Sequence, residues 1–364
     1  MKKKIVYINP MCFIDTDNTV LSHLSKKFNI TWFPILSFND NCKMTDEQIK
    51  SYSEDNNIVC RPIKIPFRLR SLKNIPIYFD LIRKTKKEGA DLYFTCTNQI
   101  YFILLLKLLV PSSKIIFGFH DVRPHSSNKS WLPIIINKIV TRIFKNFVTF
   151  SYGQQKYLLE DYNKKSRVLG MSYKYLGSSL LKPPALNDKI HVLFFGSLHS
   201  YKGVDILIRA AENLYDKGIR NLKITIAGEG PAWVDCEPCI KHREIFDIHK
   251  RFIKNEEIPD FMASHHFFVL PYRDVTNSGP LMMAIAYNLP VIAPNLGSFK
   301  EILDSNSPLL YNQGHLEETL EYISSIKELD YQKLVSTAAE IKECYSEERI
   351  ANNYIKYFNE ILNS

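Results

Sequence analysis

Residues 269–294 read VLPYRDVTNSGPLMMAIAYNLPVIAP and contain the pattern that decides the fold. A short apolar strand ends at Pro271, and the closing letters PVIAP predict a second strand. Between them Ser278 is suited to cap a helix whose first turn holds Gly279 and Pro280, a place where no N–H is needed. The loop before this apolar helix contains no Glu or Lys. We interpret it as an anion site built from backbone N–H groups, the alternative being an ordinary capped core helix.

Strands and helices alternate along both halves of the chain. Apolar segments that predict strands are residues 4–8, 91–96, 114–120 and 147–151, then KIHVLFFG, LKITIAG, HFFVLP and PVIAP. Most of these strands are apolar on both faces, which is typical of a parallel sheet covered by helices. The sequence therefore predicts an α/β protein with two doubly wound domains.

The length of 364 residues favours two domains, because a single core rarely grows that large. Paired prolines in LLKPPALNDK, residues 180–189, indicate a linker. We expect domains at 1–182 and 186–345. The stretch ERIANNYIKYFNEIL near the C-terminus predicts an amphipathic helix without an obvious partner in its own half.

Positive charge is concentrated in the first half of the chain. Residues 1–185 hold 29 Lys and Arg against 13 Asp and Glu, whereas residues 186–364 hold 18 against 25. The first half is thus expected to meet something anionic, unless the lysines only reflect a Lys-rich surface. Basic motifs interleaved with aromatic residues are missing, which argues against nucleic acid. Seven cysteines without regular spacing, no signal-like segment and no 20-residue apolar run favour a cytoplasmic protein.

A second candidate anion site lies in FGSLHSYKGVDILI, residues 195–208. A strand ends at Gly196, a short loop carries Lys202 and Gly203, and a helix begins directly afterwards. Ligands of open α/β sheets lie at the carboxyl ends of strands, where helix N-termini and a Lys favour phosphate. A plain strand-to-helix turn is the alternative. Two such loops in one domain make a diphosphate the simplest common ligand.

A cluster of titratable residues follows a strand of the first domain, in GFHDVRPHSSNKS. His120 and Asp121 are followed by Arg123 and His125. Histidine is suited to proton transfer or sugar contact near neutral pH, although a lone histidine is usually structural. We treat His120 and Asp121 as candidate catalytic residues.

A metal site is not expected at the CEPC stretch. Cys236 and Cys239 form one pair, with His242 and His249 behind them. A structural zinc site needs four ligands at suitable spacing.

The segment SWLPIIINKIVTRIFKNF, residues 130–147, has two interpretations. Apolar residues alternate with Lys138, Arg142 and Lys145 at near-helical spacing. Such a helix either lies on an anionic membrane face or packs on the core with one solvated basic edge.

Together these stretches resemble the family 4 glycosyltransferases of the GT-B fold. In that family a Gly-Arg-Leu loop ending in Lys-Gly follows the first strand of the donor domain. The matching residues here are Gly196, Ser197, Leu198 and Lys202-Gly203, with Ser197 in place of Arg.

The resemblance departs from the family at its two-glutamate motif. Glu-x7-Glu should fall on Val275 and Met283, and neither is Glu. The local pattern is similar instead to a bacterial branch reading LPYR-x-x-T-Q-S-G-V-L, with Asn277 in place of Gln. That branch mostly serves cell-surface polysaccharide assembly. IAGEGP, which contains Glu229, matches the family's second glycine turn.

The resemblance implies an architecture and a set of site residues. It implies two Rossmann-like domains facing across a cleft, with the C-terminal helix 346–364 crossing back to the first domain. His120 would contact the donor sugar and Asp121 would fix His120. Arg273 is added for its charge within the loop. The candidate donor-binding residues are Gly196, Lys202, Gly203, Glu229, Arg273, Asn277, Ser278, Gly279 and Leu281.

The implied activity is retaining transfer of a sugar from a nucleoside diphosphate sugar, with UDP favoured and GDP possible. The implied acceptor is a polyprenyl-diphosphate-linked glycan of O-antigen, capsule or exopolysaccharide assembly. No metal or cofactor is implied, and the basic first domain fits peripheral contact with an anionic membrane. The alternatives are a nucleotide-sugar epimerase or hydrolase of the same fold, and a non-enzymatic partner of an assembly complex.

Overall fold

The computed structural model describes residues 1–37, 44–68, 71–123, 131–186 and 189–364. Contacts divide them into two compact units. Unit 1 contains the described residues up to Ser172 together with Ser346–Ser364, and unit 2 contains Tyr173–Tyr345.

Unit 1 is built on a parallel sheet of eight described strands. Its order is β3-β2-β1-β5-β6-β7-β8, with β4 also pairing to β2. The strands are β1 (Lys4–Pro10), β2 (Asn29–Ser37), β3 (Val59–Cys60), β4 (Ile63–Ile65), β5 (Leu92–Thr95), β6 (Ile115–Phe119), β7 (Asn146–Thr149) and β8 (Arg167–Val168). Every residue of β5 and β6 is buried, as the strands' apolar character on both faces predicts.

Helices connect these strands and supply the apolar cover of the sheet. They are α1 (Ile14–Lys27), α2 (Asp46–Asp55), α3 (Ile75–Lys87), α4 (Ile100–Leu109), α5 (Leu132–Ile143) and α6 (Tyr152–Tyr162). The core of the unit includes Leu81, Phe102 and Val140 from the helices, packed against Phe117 of β6.

Unit 2 has a six-stranded parallel sheet of order β11-β10-β9-β12-β13-β14. The strands are β9 (Ile190–Phe195), β10 (Leu222–Ala227), β11 (Phe246–His249), β12 (Phe267–Val269), β13 (Val291–Pro294) and β14 (Leu310–Tyr311). The order reverses between β9 and β12, and doubly wound sheets bind ligands at such a reversal. The predicted class, α/β with two doubly wound parallel sheets, is confirmed.

The helices of unit 2 include the one predicted from the opening stretch. They are α7 (Val204–Asp216), α8 (Trp233–Cys236), α9 (Ile258–Ala263), α10 (Gly279–Ala286), α11 (Phe299–Ile302), α12 (Leu316–Ser324) and α13 (Glu328–Cys344). Among the described residues, none of the helices combines the length and apolarity needed to cross a bilayer.

The last helix, α14 (Glu347–Leu362), packs in unit 1 although it follows unit 2 in sequence. The rings of Tyr354 and Phe358 each lie 5.7 Å from the ring of Phe94 in β5. Arg167 also pairs with Glu360 at 2.6 Å. These contacts give the amphipathic face of the helix its partner.

Residues 173–182, which the proline pattern assigns to the first domain, lie in unit 2. The Lys174 N–H donates to the Met282 carbonyl at 3.1 Å. Ser179 Oγ donates to Asp260 Oδ1 at 2.6 Å. These bonds tie the segment to unit 2 well before the prolines are reached.

Candidate functional site

The candidate site of unit 2 lies where the strand order reverses. β9 ends directly before Gly196, and β12 is followed by Leu270 and Pro271. Parallel strands bring these two carboxyl ends to one edge of the sheet. The two loops quoted in the sequence analysis are therefore neighbours.

Gly203 allows the two loops to touch. Its φ of +69° is left-handed, and a Cβ placed there would lie 1.9 Å from the carbonyl oxygen of Pro271. Gly196, with φ of +131°, similarly leaves room for the ammonium of Lys202, since a Cβ at Gly196 would lie 3.2 Å from Lys202 Nζ. The same Cβ position lies 3.4 Å from Cγ of Pro280 in α10. Lys202 and the start of α10 thus flank Gly196.

Arg273 fastens the two loops together. Its backbone N–H donates to the Tyr201 carbonyl at 2.7 Å, and its Nη1 donates to the Ser200 carbonyl at 2.6 Å. Its guanidinium also forms a bidentate pair with Asp205 at 2.9 and 2.7 Å. Hydrogen bonding to Asp205 raises the pKa of Arg273 above its ordinary value. The guanidinium charge of Arg273, which the sequence led us to expect beside a ligand, is therefore paired with a carboxylate of α7.

The N-terminus of α10 offers fewer backbone donors than the sequence indicates. Ser278 Oγ caps the helix by accepting from the Leu281 N–H at 3.2 Å. Pro280 has no N–H to donate. Among the first three residues of α10, only Gly279 has an N–H that takes part in neither the cap nor a helix hydrogen bond of the described chain. Side chains must supply most of the donors if this end of the helix binds an anion.

Lys202 is the most unusual charged residue of this site. Its side chain is only 6% exposed, and burial lowers its pKa to about 8. Nζ donates to Ser197 Oγ at 3.0 Å, which is its one hydrogen-bond partner within the described ranges, and it lies 5.7 Å from the ring centre of Tyr272. An ammonium buried beside a neutral hydroxyl is costly. An anion placed next to Nζ would remove that cost.

Glu229 and Asn277 contribute differently. The Glu229 side chain is exposed, and its backbone carbonyl accepts from the Leu198 N–H at 2.8 Å. Glu229 therefore ties the glycine turn after β10 to the loop after β9. Asn277 is half-buried, directly before the capping Ser278.

In unit 1 the ring of His120 is stacked between two aromatic rings. Phe13 lies 3.6 Å away at an interplanar angle of 12°, and Phe150 lies 4.2 Å away at 18°. The three residues follow β1, β6 and β7, whose carboxyl ends share one edge of the sheet. This sandwich fixes the plane of the imidazole, and His120 stays half-buried.

Asp121 and Arg123 follow His120 on the surface. Asp121 is exposed, and its carbonyl accepts from Asn137 Nδ2 at 3.4 Å. Arg123 pairs with Asp161 at 2.7 and 2.6 Å and stacks over the ring of Tyr157 at 3.9 Å. Its charge is therefore neutralised within unit 1. His125 lies outside the described residues.

Sequence reasoning missed Lys174. This lysine is 7% exposed, and its Nζ lies 3.4 Å from the position that a Cβ would take at Gly279. It precedes α10 by more than a hundred residues, in a stretch expected to belong to the other domain. No local motif marks Lys174. A lysine with the apolar neighbours Met171 and Leu176 was the one sequence feature that could have indicated a buried cation.

The CEPC segment shows ordinary side-chain contacts. His242 Nδ1 lies 2.6 Å from the buried carboxylate of Glu212, and His249 pairs with Asp247 at 3.0 Å. Across the described ranges, no group of three or more His, Cys, Asp or Glu side chains is arranged to hold a metal ion.

Comparison with known families and proteins places this site in a wider context. Residues 189–328 match the family model described as glycosyl transferases group 1. Over 124 residues the chain is 28% identical to an alpha-D-kanosaminyltransferase of Streptomyces kanamyceticus, covering 34% of this chain and 32% of that protein. Over 232 residues it is 21% identical to a GDP-mannose:glycolipid 4-beta-D-mannosyltransferase of Xanthomonas campestris pv. campestris, covering 63% and 62%. The matches thus span between about a third and about three-fifths of these relatives' lengths.

Solved structures share the fold of both units. The crystal structure of Anabaena HepE in complex with UDP superposes with a TM-score of 0.70 at 14% identity, covering 98% of this chain and 100% of that one. The two-sheet architecture is therefore that of GT-B glycosyltransferases. Lys202, Gly203 and the capped helix α10 all lie within the residues that match the family model.

Proposed function

We propose that the chain is a glycosyltransferase of group 1, the family whose model matches residues 189–328, and that it transfers a hexosyl group from a nucleoside diphosphate sugar to a lipid-linked glycan. The observation that carries this proposal is the buried ammonium of Lys202 beside the start of α10. Both lie at the reversal of strand order in unit 2, where doubly wound sheets bind nucleotides.

Lys202 would hold the diphosphate that leaves the sugar. Negative charge grows on this group as the bond to the sugar breaks, and a preorganised cation stabilises that charge. Removing one such donor typically raises the barrier by roughly 3 to 4 kcal/mol. Ser197 Oγ accepts a hydrogen bond from the ammonium at 3.0 Å and so orients it. Arg273, held by Asp205, positions the loop rather than contacting the phosphate.

UDP is the favoured nucleotide and GDP is the competitor. Anabaena HepE is a structural neighbour in complex with UDP, which supports UDP. The Xanthomonas relative is named for GDP-mannose, which supports GDP.

His120 would act on the sugar, and Asp121 would support it. The acceptor hydroxyl oxygen forms a bond to the anomeric carbon while the bond from that carbon to the diphosphate oxygen breaks. The diphosphate leaves with the electron pair and takes the hydroxyl proton on the same face, so configuration is retained. The imidazole, held between Phe13 and Phe150, would orient the sugar in this step.

The acceptor we propose is a polyprenyl-diphosphate-linked glycan at a membrane surface, in assembly of a bacterial surface polysaccharide. The Xanthomonas relative is named for a glycolipid acceptor. At the start of α5, Trp131, Ile134 and Ile135 are 68%, 47% and 40% exposed. Lys138 and Arg142, further along the same helix, are exposed as well. Exposed apolar residues followed by cations suit an anionic lipid surface.

Vesicle sedimentation tests the membrane contact. The protein should pellet with vesicles containing anionic lipid and remain in solution with zwitterionic ones. Replacing Trp131 and Ile134 with Ser should abolish pelleting. Replacing Val234 and Phe252, which are 75% and 58% exposed in unit 2, should leave it unchanged. Equal pelleting by both double variants would reject α5 as the contact.

Thermal shift with nucleotides tests the donor site. UDP, GDP, ADP and CMP are added separately without metal, and one nucleotide should raise the melting temperature. A ligand at 100 times its Kd adds about 2.7 kcal/mol of stability. Lys202→Met should lose the shift, and Lys300→Met, at an exposed lysine of α11, should keep it. An unchanged shift in Lys202→Met would reject the phosphate assignment.

Product analysis then separates transfer from the other reactions of nucleotide sugars. The protein is incubated with the donor and a synthetic polyprenyl-diphosphate-linked sugar, and products are identified by mass spectrometry and NMR. A glycosylated lipid supports the proposal. Free hexose would indicate a hydrolase, and an epimeric nucleotide sugar would indicate an epimerase. Absence of any product with a bound nucleotide would indicate a non-enzymatic role.

A further inference from the structure

The two faces of the unit 1 sheet are covered by different sets of helices. The chain crosses the sheet in one direction from β1 through β2 to β3, and in the other direction from β4 through β5 and β6 to β7. Connections between parallel strands are right-handed, so helices that join strands in opposite directions lie on opposite faces. Helices α3, α4 and α5 therefore form one face, which we call the α3–α5 face. Helices α1 and α2 form the other, where α14 packs beside α1.

The α3–α5 face exposes large apolar side chains, and the opposite face does not. On α4, Leu104 and Leu108 are 47% and 78% exposed and lie one helical turn apart. Phe79 of α3 is 46% exposed, and the exposed apolar residues at the start of α5 lie on the same face. Within the described residues, α1, α2 and α14 expose no large apolar side chain. Because the solvated side of a helix is normally polar, the outward side of α4 has the composition of a covered surface.

The charges of the two faces differ as well. The helices α4 and α5 contain no Asp or Glu, and the single carboxylate of α3, Asp80, pairs with Lys84 at 2.7 Å. The cations of these three helices are all exposed, namely Arg83, Lys84, Lys86, Lys87, Lys107, Lys138 and Arg142. Helices α1, α2 and α14 hold nine Asp and Glu against five Lys and Arg. The apolar residues of the α3–α5 face are thus surrounded by positive charge, which matches an anionic partner.

The three helices are held together as one surface. Lys107 Nζ at the end of α4 donates to Ser112 Oγ at 2.6 Å, and Ser112 Oγ donates to the Ile143 carbonyl at the end of α5 at 3.0 Å. The rings of Tyr78 in α3 and Phe102 in α4 lie 5.9 Å apart. The exposed apolar residues are therefore presented by helices whose inner sides are fixed in the core.

We propose that the α3–α5 face lies on an anionic bilayer, with Leu104 and Leu108 of α4 entering the acyl region and the surrounding cations contacting lipid phosphates. This inference rests on the proposed function, because it assumes the membrane contact at the start of α5 and extends it over three helices. Such surfaces bury apolar side chains at the boundary of headgroups and acyl chains, while Lys and Arg meet anionic lipid. A second copy of the chain would bring two cationic faces together, which is repulsive.

Vesicle partitioning of a double variant, Leu104→Ser with Leu108→Ser, tests this assignment. The full chain is titrated with vesicles of phosphatidylglycerol and phosphatidylcholine, and the bound fraction is measured by sedimentation. The double variant should partition about 10- to 100-fold more weakly, because two leucines no longer enter the acyl region. In about 1 M salt, where attraction between charges is screened, the wild type should keep measurable binding and the double variant should lose it.

Leu180→Ser with Leu181→Ser is the matched control. These leucines are 101% and 51% exposed and lie in unit 2, so the control removes the same side chains from another surface. Its partitioning should stay within about twofold of wild type. Both double variants should keep the thermal shift with nucleotide, which verifies that they fold.

Fluorescence quenching measures the depth of α4 directly. A tryptophan introduced by Leu108→Trp should be quenched by lipids brominated in the middle of the acyl chain, because this position enters the acyl region. A tryptophan introduced by Leu180→Trp should not be quenched.

The outcomes separate this inference from the proposed function. Wild-type protein that does not bind anionic vesicles would reject the inference and the contact of α5, while the nucleotide and product tests would still decide the reaction. Unchanged partitioning of the Leu104 and Leu108 double variant, with loss of binding when Trp131 and Ile134 are replaced, would reject the inference alone. A dimer in light scattering that this double variant converts to a monomer would also overturn it, because a second copy would then cover the face. Selective weakening in the double variant, with quenching at Leu108→Trp, supports the inference.

Discussion

Binding of a nucleoside diphosphate should draw protons from solution, because Lys202 is buried and its one hydrogen-bond partner among the described residues is the neutral hydroxyl of Ser197. Burial lowers the pKa of Lys202 to about 8, so its ammonium is partly deprotonated in mildly alkaline solution. A diphosphate beside Nζ favours the charged form and should return the pKa to the ordinary range of lysine, about 10.4. Each binding event then protonates the neutral fraction of Lys202.

The uptake follows from the two pKa values. About half a proton per nucleotide should be taken up at pH 8, about 0.9 at pH 9 and about 0.1 at pH 7. Apparent affinity should fall about tenfold between pH 7 and pH 9, because the competent ammonium form becomes the minor species. The terminal phosphate has a pKa near 6 and is fully ionised at pH 8 and 9. The proton uptake measured at pH 8 and 9 therefore comes from the protein and not from the nucleotide.

Isothermal titration in buffers of different ionisation enthalpy measures the proton count directly. Titrating UDP at pH 8 into the wild-type protein should give a slope near half a proton. Lys202→Met should bind more weakly and show no uptake. Lys202→Arg should show none either, since arginine stays charged at this pH, and it should keep more of the affinity than Lys202→Met.

Two results would refute this reasoning. The first is wild-type binding of UDP with no proton uptake at pH 8 and an affinity independent of pH between 7 and 9. The second is uptake of equal size in Lys202→Met, which would assign the titration to another group.

Two further predictions concern the folded state. Gly203→Ala should lower the free energy of unfolding by more than about 2 kcal/mol, since left-handed strain of about 1–2 kcal/mol adds to overlap with the Pro271 carbonyl, 1.9 Å from the new Cβ. Gly89 has φ of +64° and nothing within 4 Å of an added Cβ, so Gly89→Ala should show only the backbone strain in urea denaturation. Equal losses of unfolding free energy in Gly89→Ala and Gly203→Ala would contradict the close approach of Gly203 to the Pro271 carbonyl. Acid should destabilise the protein as pH falls from about 6.5 towards 4, because burial lowers the pKa of His265 to about 4 and the unfolded state therefore binds a proton first. His265 should account for a loss of roughly 2 to 3 kcal/mol of unfolding free energy between pH 7.5 and 4.5. His265→Asn should remove this loss, and His315→Asn, at an exposed histidine, should leave it in place. Identical pH profiles for the wild type and both variants would reject the assignment.

Local patterns were enough to predict the ends of strands β9 and β12 and the start of helix α10 in unit 2. Gly203 next to Lys202, and Ser278 before Gly279-Pro280, each have a short-range physical reason, namely loop geometry and capping. The parallel order of strands then brings the two loops together. The general location of the candidate site therefore follows from residues close together in sequence.

Long-range partners were beyond this kind of reasoning. The Asp205 that engages Arg273 lies 68 residues before it, and Lys174 lies in a stretch whose domain the prolines misplace. Strand β2 was not predicted, because Pro34 interrupts its apolar run and removes one ladder N–H. Such features depend on tertiary contacts that spacing alone does not encode.

The position of α14 sets an order of events during synthesis. Within the described residues unit 2 is one continuous segment, Tyr173–Tyr345, and all of it leaves the ribosome before α14 is made. Unit 1 cannot complete its core until α14 has been made, since Phe94 and Phe28 pack against Phe358 of that helix. Until then the nascent first unit carries an uncovered aromatic surface, the kind of surface that chaperones recognise. Unit 1, which begins before unit 2 in the chain, can thus be completed only after all of Tyr173–Tyr345 has been synthesised.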